Sequence, residues 1–433
     1  MGRAKQSRRM TATVLFFFSI LAFLPCSAAA PNIAPVITVP HGPNSPAQQA
    51  KHYVVLVSLD GFRFDYVQKY GAPHLAALGN RGVSADGLIP SYPSLTFPNH
   101  YTIVTGLYPE HHGIVGMAFY DPALGNHYSY RDPKTATDGT WYRGTPLWVL
   151  AEKQGMRTAC FFWPGSEAEI DGARPTYYLP FNDKFPDEER IQQVLQWLEL
   201  PESDRPHFIT LYYSAVDHAG HDFGPDSEQV ADAVHHVDEL VGKLETGLER
   251  LSLPIDLIVV SDHGMESEQG APVNLDKFTD LTGFETDGAF LYGHDEVQTD
   301  RAYQQLRTAS DKFSVYRRRA VPSYLHYADD ARVGDPVIVA NGPYVIRAHG
   351  NPDHVNKGVH GYDPVHFPNM RGVFFAAGPD VREHARAAPF ENVNIYPFIS
   401  QLLGLKIGKV DGSIEVLKPF LIERQHAAKP GMR

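Results

Sequence analysis

A chain of 433 residues with 43% hydrophobic and 12% aromatic side chains has enough apolar surface for a large core, which excludes a disordered or fibrous class. Its net charge of −12 excludes an electrostatic grip on bulk nucleic acid, and two cysteines can supply neither a disulfide framework nor a thiolate-rich metal site.

The first 30 residues read as a cleaved export signal: Arg3, Lys5, Arg8 and Arg9 precede an apolar stretch from Val14 to Leu24, and small residues follow from Ser27 to Ala30. That apolar run is shorter than the roughly 20 residues a membrane span needs. Thr11-Ala12 stands where a twin-arginine signal prefers apolar residues, which favours the general export route to a periplasmic or secreted location. Loss of the signal's four positive charges takes the chain from −12 to −16, so a site for an anionic substrate needs its own concentrated positive charge, and metal ions are the obvious source. Residues 31–51, rich in Pro, Ala, Asn and Gly, are expected to form a flexible leader.

Beyond it, short apolar runs alternate with helical patterns, as in an α/β protein with a largely parallel sheet. Tyr53-Val-Val-Leu-Val-Ser58 reads as a strand buried on both faces, with Asp60-Gly61 at its carboxyl end. The runs at 206–213 and 255–261 read the same way, with Asp217 beyond the first and Asp262-His263 beyond the second. Each aspartate alone could be an ordinary turn or helix cap, but three strands delivering acids to one edge point to the place where open parallel sheets bind ligands. Helices are expected at 188–200, 227–251 and 392–403, a further strand at 371–377, and a cap insertion at about 283–347. Cys160, within an apolar run, reads as a buried small hydrophobe.

Asp217-His-Ala-Gly-His221 spaces a carboxylate and an imidazole four residues apart, and Asp262, His263 and His360 add oxygen and nitrogen donors of the kind that suits zinc. With Asp60 and Thr96 these residues suffice for two metal sites sharing one phosphate.

Taken in order, Ser58-Leu-Asp-Gly61, Thr96-Phe-Pro-Asn-His100, Asp217-His-Ala-Gly-His-Asp-Phe-Gly-Pro225, Ser261-Asp-His-Gly-Met265 and His360-Gly-Tyr362 resemble the nucleotide pyrophosphatase/phosphodiesterases of the alkaline phosphatase superfamily, from about residue 53 to 405. The resemblance implies an alkaline-phosphatase-like α/β sandwich over about 52–425, with a central, largely parallel sheet flanked by helices. It implies two Zn²⁺ ions, one held by Asp217, His221 and His360, the other by Asp60, Asp262, His263 and the Thr96 oxygen. It further implies attack by Thr96 on phosphorus, hydrolysis of the resulting phosphothreonine, and release of nucleoside 5′-monophosphates from phosphodiester or pyrophosphate bonds. Phe97 and Tyr212 would sandwich a nucleobase, although both also suit an aromatic core.

One departure stands out: Met117 occupies the position where the family pattern has an asparagine whose amide donates to a phosphoryl oxygen, leaving Asn99 or a backbone amide to compensate. Three alternatives stay open. A phosphodiesterase for lipid or choline-type headgroups would share every metal ligand; a phosphomonoesterase or sulfatase is a neighbour in the superfamily, although Thr96 does not suit the usual sulfatase nucleophile; an inactive zinc-binding homologue would explain Met117. The expected partner is a small phosphodiester substrate, with no stable nucleic-acid partner and no transmembrane span in the mature chain.

Overall fold

The structure, a computed structural model, describes residues 1–2, 35–350 and 356–422. The export signal expected over residues 1–30 lies outside the described residues but for its first two, and among the described residues no helix is long and apolar enough to cross a membrane.

Nine strands form the main sheet: β1 (Ile37–Thr38), β2 (Tyr53–Leu59), β3 (Val83–Ala85), β4 (Thr158–Phe161), β5 (Tyr177–Leu179), β6 (Phe208–Tyr213), β7 (Ile255–Val260), β8 (Phe374–Ala377) and β9 (Ala385–Ala387). Their spatial order is β1-β5-β4-β6-β2-β7-β8-β3-β9. The central run β5-β4-β6-β2-β7 is parallel throughout, and antiparallel pairs occur only toward the two edges, at β1-β5, β7-β8 and β8-β3. A strand paired on both sides and covered on both faces has no polar face to show, so all seven residues of β2 are buried.

Alternation along β2 sends Val54 and Leu56 into one core and Val55, Val57 and Leu59 into another. The first core takes side chains from α2 (Thr96–Thr105) and α6 (Ile395–Leu403). The second takes them from α1 (Pro73–Arg81), α3 (Asp187–Leu198), α4 (Ala215–Phe223) and α5 (Glu228–Arg250). α5 shows why these residues make a helix: Ser227 caps it by accepting from Val230 N, and Val230, Val234, Val237, Val241, Leu244 and Leu248 form one buried stripe. Cys160 is fully buried in β4, and burial pushes its thiol pKa far up, so it packs as a hydrophobe.

The leader expectation fails from residue 37 onward. β1 pairs with β5, and the buried Asn44 amide donates to Glu202 O (2.8 Å) and Arg205 O (2.7 Å) while its oxygen accepts from Arg157 N (2.7 Å). A polar composition suggested mobility, but a side chain that meets three separate backbone groups docks the segment.

Between residues 273 and 350 smaller elements build a third hydrophobic cluster: a hairpin of Phe284–Asp287 with Phe290–Gly293, a helix at Glu296–Leu306, and Phe313–Tyr316 paired with Val337–Ala340. Arg332 pins this region to the segment between residues 113 and 141. Its buried guanidinium donates to Asp121 Oδ2 (2.6 Å), Gly113 O (2.9 Å) and Trp141 O (2.6 Å), and it lies 5.6 Å from the Phe119 ring centroid. Breaking a buried pair of this kind strands a charge, so Arg332→Ala is expected to cost about 3–5 kcal/mol of stability. Urea unfolding checks it; an unchanged midpoint would mean that the turn amides of Ala123 and Leu124 satisfy Asp121 alone.

Candidate active site

The parallel strands end on one edge, and the site is assembled there. After β2 the chain turns at Gly61, whose φ of +68° and closeness to Asp217 suit only glycine: a Cβ would lie 2.8 Å from Asp217 Cα. After β6, Asp217 and His221 stand one turn apart on α4, facing the same way. After β7, Ser261 shapes the turn: its hydroxyl donates to His263 O (2.6 Å) and accepts from Phe62 N (3.0 Å), which holds Asp262 and His263 at the edge. His360 follows the short strand Gly358–Val359. Thr96 is the first residue of α2, and no acid occupies that helix's first turn.

All seven residues read from the sequence come together. Asp217, His221 and His360 form one group, with Asp217 Oδ1 lying 3.5 Å from His221 Nε2 and 3.6 Å from His360 Nε2. The second gathers around His263 Nε2, which lies 3.4 Å from Asp60 Oδ1, 3.0 Å from Asp262 Oδ2 and 3.2 Å from the Thr96 hydroxyl.

The protonation pattern shows what the set suits. Nδ1 of His221, His360 and His263 faces a backbone carbonyl, at Gly358 (2.8 Å), Ser94 (3.0 Å) and Gly264 (2.9 Å) respectively. A carbonyl only accepts, so Nδ1 carries a proton in each ring and Nε2 is the nitrogen turned inward, available to a cation in the neutral imidazole. His221 Nε2 and His360 Nε2 even face each other at 3.1 Å. Asp60 Oδ1, Asp217 Oδ1 and Asp262 Oδ2 are buried without a hydrogen-bond partner. Three inward-facing imidazole nitrogens and three buried carboxylate oxygens make a donor set that fits metal cations of the zinc type.

Without a cation this arrangement is electrostatically strained. Burial, then the charges of Asp262 and Asp217, hold the Asp60 carboxyl well above the usual carboxylate range. Asp262 is held well below that range: burial pushes it up, but His263 and His100 outweigh it. His263 is raised because Asp262 overcomes the effect of burial, whereas burial, His263 and His221 drive His360 well down.

Above these groups opens a cavity of about 1340 Å³, lined by Thr96, Phe97, Met117 and Tyr212 and, from the 273–350 region, by Phe290, Ile338 and Tyr344. Phe97 leans on Tyr130 with ring centroids 5.4 Å apart, and among the described residues no ring contact joins Phe97 to Tyr212. Tyr212 is only 7% exposed, and its hydroxyl donates to Asp60 Oδ2 at 2.6 Å. Met117 Sδ sits 3.4 Å from Phe97 N, accepting from the amide next to the threonine.

Asn99 does not belong to the substrate surface. It is fully buried; its oxygen accepts from Ser91 N and Asn392 Nδ2 (both 2.8 Å) and its amide donates to Pro93 O (2.9 Å) and Leu95 O (3.0 Å). With every group spent on the turn before α2, Asn99 cannot replace the missing donor.

His100 went unread as a separate site residue. One helical turn beyond Thr96, its Nδ1 lies 2.9 Å from Thr96 O and 3.3 Å from Asp262 Oδ2, while its Nε2 accepts from the Ser58 hydroxyl (2.8 Å). Trp163 closes over it, donating from Nε1 to His100 O (3.1 Å). The four-residue spacing from Thr96 was the available signal.

Residues 54–363 match the model of a family described as type I phosphodiesterase / nucleotide pyrophosphatase. An uncharacterized pyrophosphatase/phosphodiesterase of Schizosaccharomyces pombe is 36% identical over 388 residues, which cover 85% of this chain and 80% of that protein. Ectonucleotide pyrophosphatase/phosphodiesterase family member 1 of Rattus norvegicus is 38% identical over 84% of this chain, and the match spans 42% of the rat protein's length. Among solved structures, murine ectonucleotide pyrophosphatase/phosphodiesterase 5, in an inactive form in complex with AMP, superposes with a TM-score of 0.81 at 30% identity, covering 86% of this chain and all of that one. The chain belongs to the type I phosphodiesterase / nucleotide pyrophosphatase family.

Proposed function

We propose that this chain hydrolyses nucleotide phosphodiester and pyrophosphate bonds, releasing nucleoside 5′-monophosphates, with Thr96 as nucleophile beside a two-zinc site. The observation that carries the proposal is the Thr96 hydroxyl at the start of α2, 3.2 Å from one of three inward-facing imidazole lone pairs and open to a cavity large enough for a nucleotide. The AMP complex of the murine neighbour and the "ectonucleotide" names of the relatives support the substrate class, and with the cationic, apolar start of this sequence they support an exported enzyme.

Asp217, His221 and His360 would hold one zinc; Asp60, Asp262 and His263 would hold the other. When bound, the ions would supply the positive charge that an acidic chain lacks and make the threonine hydroxyl acidic enough to react near neutral pH. Thr96 Oγ attacks phosphorus, the bond to the leaving oxygen breaks, and water then cleaves the phosphothreonine with release of the monophosphate. The N-terminus of α2 favours the anion electrostatically, and Pro98 offers no N–H, so Phe97 N is the amide placed to donate to a non-bridging oxygen. The Met117 thioether, a weak acceptor, holds that amide until the phosphoryl oxygen displaces it.

Three outcomes follow from this reading. With zinc supplied, the chain is expected to cleave a p-nitrophenyl nucleotide ester far faster than p-nitrophenyl phosphate or p-nitrophenylphosphorylcholine, and Thr96→Ala is expected to abolish cleavage while retaining zinc; preference for the choline ester would move the substrate class to headgroups. Met117→Asn restores a side-chain donor and is expected to raise turnover by about 10²-fold, in line with the loss on removing one such donor; an unchanged or lower rate would show that Phe97 N suffices. Burial and the neighbouring acids hold the Asp60 carboxyl above the usual carboxylate range, so zinc binding competes with a proton there and zinc affinity is expected to rise with pH through and above that range. Calorimetry in buffers of different ionisation enthalpy reads the released proton, and a pH-independent affinity would contradict the assignment of Asp60 as a ligand.

A further inference from the structure

The backbone register brings a phenol beneath the site. In the β2-β6 pairing, Tyr212 stands opposite Ser58, two residues before Asp60, and Asp60 N donates to Tyr213 O at 2.9 Å. The end of β6 is therefore locked to the turn that carries Asp60. Arg190, itself buried, fastens the same point from the other side by donating to Tyr212 O (2.8 Å) and Phe185 O (3.0 Å). The Tyr212 ring is fixed as well, edge-on to His100 with centroids 5.3 Å apart at 70°.

Its hydroxyl is consequently held in place, and it donates to Asp60 Oδ2 at 2.6 Å. Asp60 Oδ1 is left with no hydrogen-bond partner, 3.4 Å from His263 Nε2. One oxygen of the carboxylate is spent on Tyr212; the other is turned into the cluster.

We infer that Tyr212 is a positioning residue for the metal site, its hydroxyl selecting which oxygen of Asp60 faces the cation and holding it there. The inference rests on the two-zinc reading above and deepens it, because Tyr212 also lines the substrate cavity. One side chain thus serves two surfaces: the hydroxyl grips Asp60, and the residue also lines the cavity. Partners that orient first-contact ligands commonly matter by 10–100-fold in metal affinity.

Tyr212→Phe deletes the hydroxyl and keeps the ring; Tyr212→Leu deletes both. Zinc dissociation constants of the purified full chain would be measured by chelator competition, with the thermal midpoint of the metal-free protein as the control for folding. Tyr212→Phe is expected to weaken zinc binding about 10–100-fold with that midpoint little changed, and to show a fall in kcat at limiting zinc that excess zinc restores. Tyr212→Leu is expected to add a rise in KM for the nucleotide ester that zinc does not correct. Equal zinc affinity of Tyr212→Phe and the unsubstituted chain would overturn the inference, as would a kcat loss that excess zinc leaves in place. Failure of the unsubstituted chain to bind zinc at all would instead overturn the two-zinc reading.

Discussion

Three carboxylates and three imidazoles share one small, buried volume, and that crowding is the constraint from which the rest of the molecule follows. Charges of one sign in a poorly solvated pocket repel, which holds the Asp60 carboxyl above the usual carboxylate range while His263 and His100 hold Asp262 below it. Only a rigid frame can keep such groups together. The parallel strands β6, β2 and β7 provide it, since each ends at the same edge and each is fixed by ladders on both sides.

A layer of neutral hydrogen bonds stands between this frame and the charged groups. Backbone carbonyls of Gly358, Ser94 and Gly264 fix the tautomers of three histidines, the Ser58 hydroxyl and Thr96 carbonyl fix His100, and Tyr212 fixes Asp60. None of these partners carries charge, so the site's electrostatics stay concentrated on the inward atoms. Thr96 is fastened to the same layer, because His100 touches the Thr96 carbonyl and an oxygen of Asp262 at once.

The cavity is walled by a different kind of force. Phe97, Tyr130 and Met117 line its catalytic side, and the 273–350 region faces them with Phe290, Ile338 and Tyr344. Arg332 joins the two walls through Asp121 and Gly113, a few residues to either side of Met117, and the Tyr327 hydroxyl adds a link by donating to Val115 O (2.5 Å).

Much of the architecture was legible because its signals are local. Continuous apolar runs at 53–58, 206–213 and 255–261 read as strands covered on both faces, and the aspartates that follow them then point to one shared edge, as the sheet shows. The four-residue step from Asp217 to His221 puts both on one helix face whatever the surroundings. The sequence by itself thus determined the α/β class, the edge that carries the site, and which acids and histidines meet there. Tertiary structure alone decided the rest, since it depends on which atoms meet across long separations in the chain. Asn99 lies three residues from Thr96 in sequence yet is consumed by Ser91 and Asn392; Asn44 turns an apparently mobile segment into a docked one; the β2-β6 register places the Tyr212 hydroxyl on Asp60. A residue's type announces what it can bond to, but the partner that takes up that capacity is set only by the packed fold.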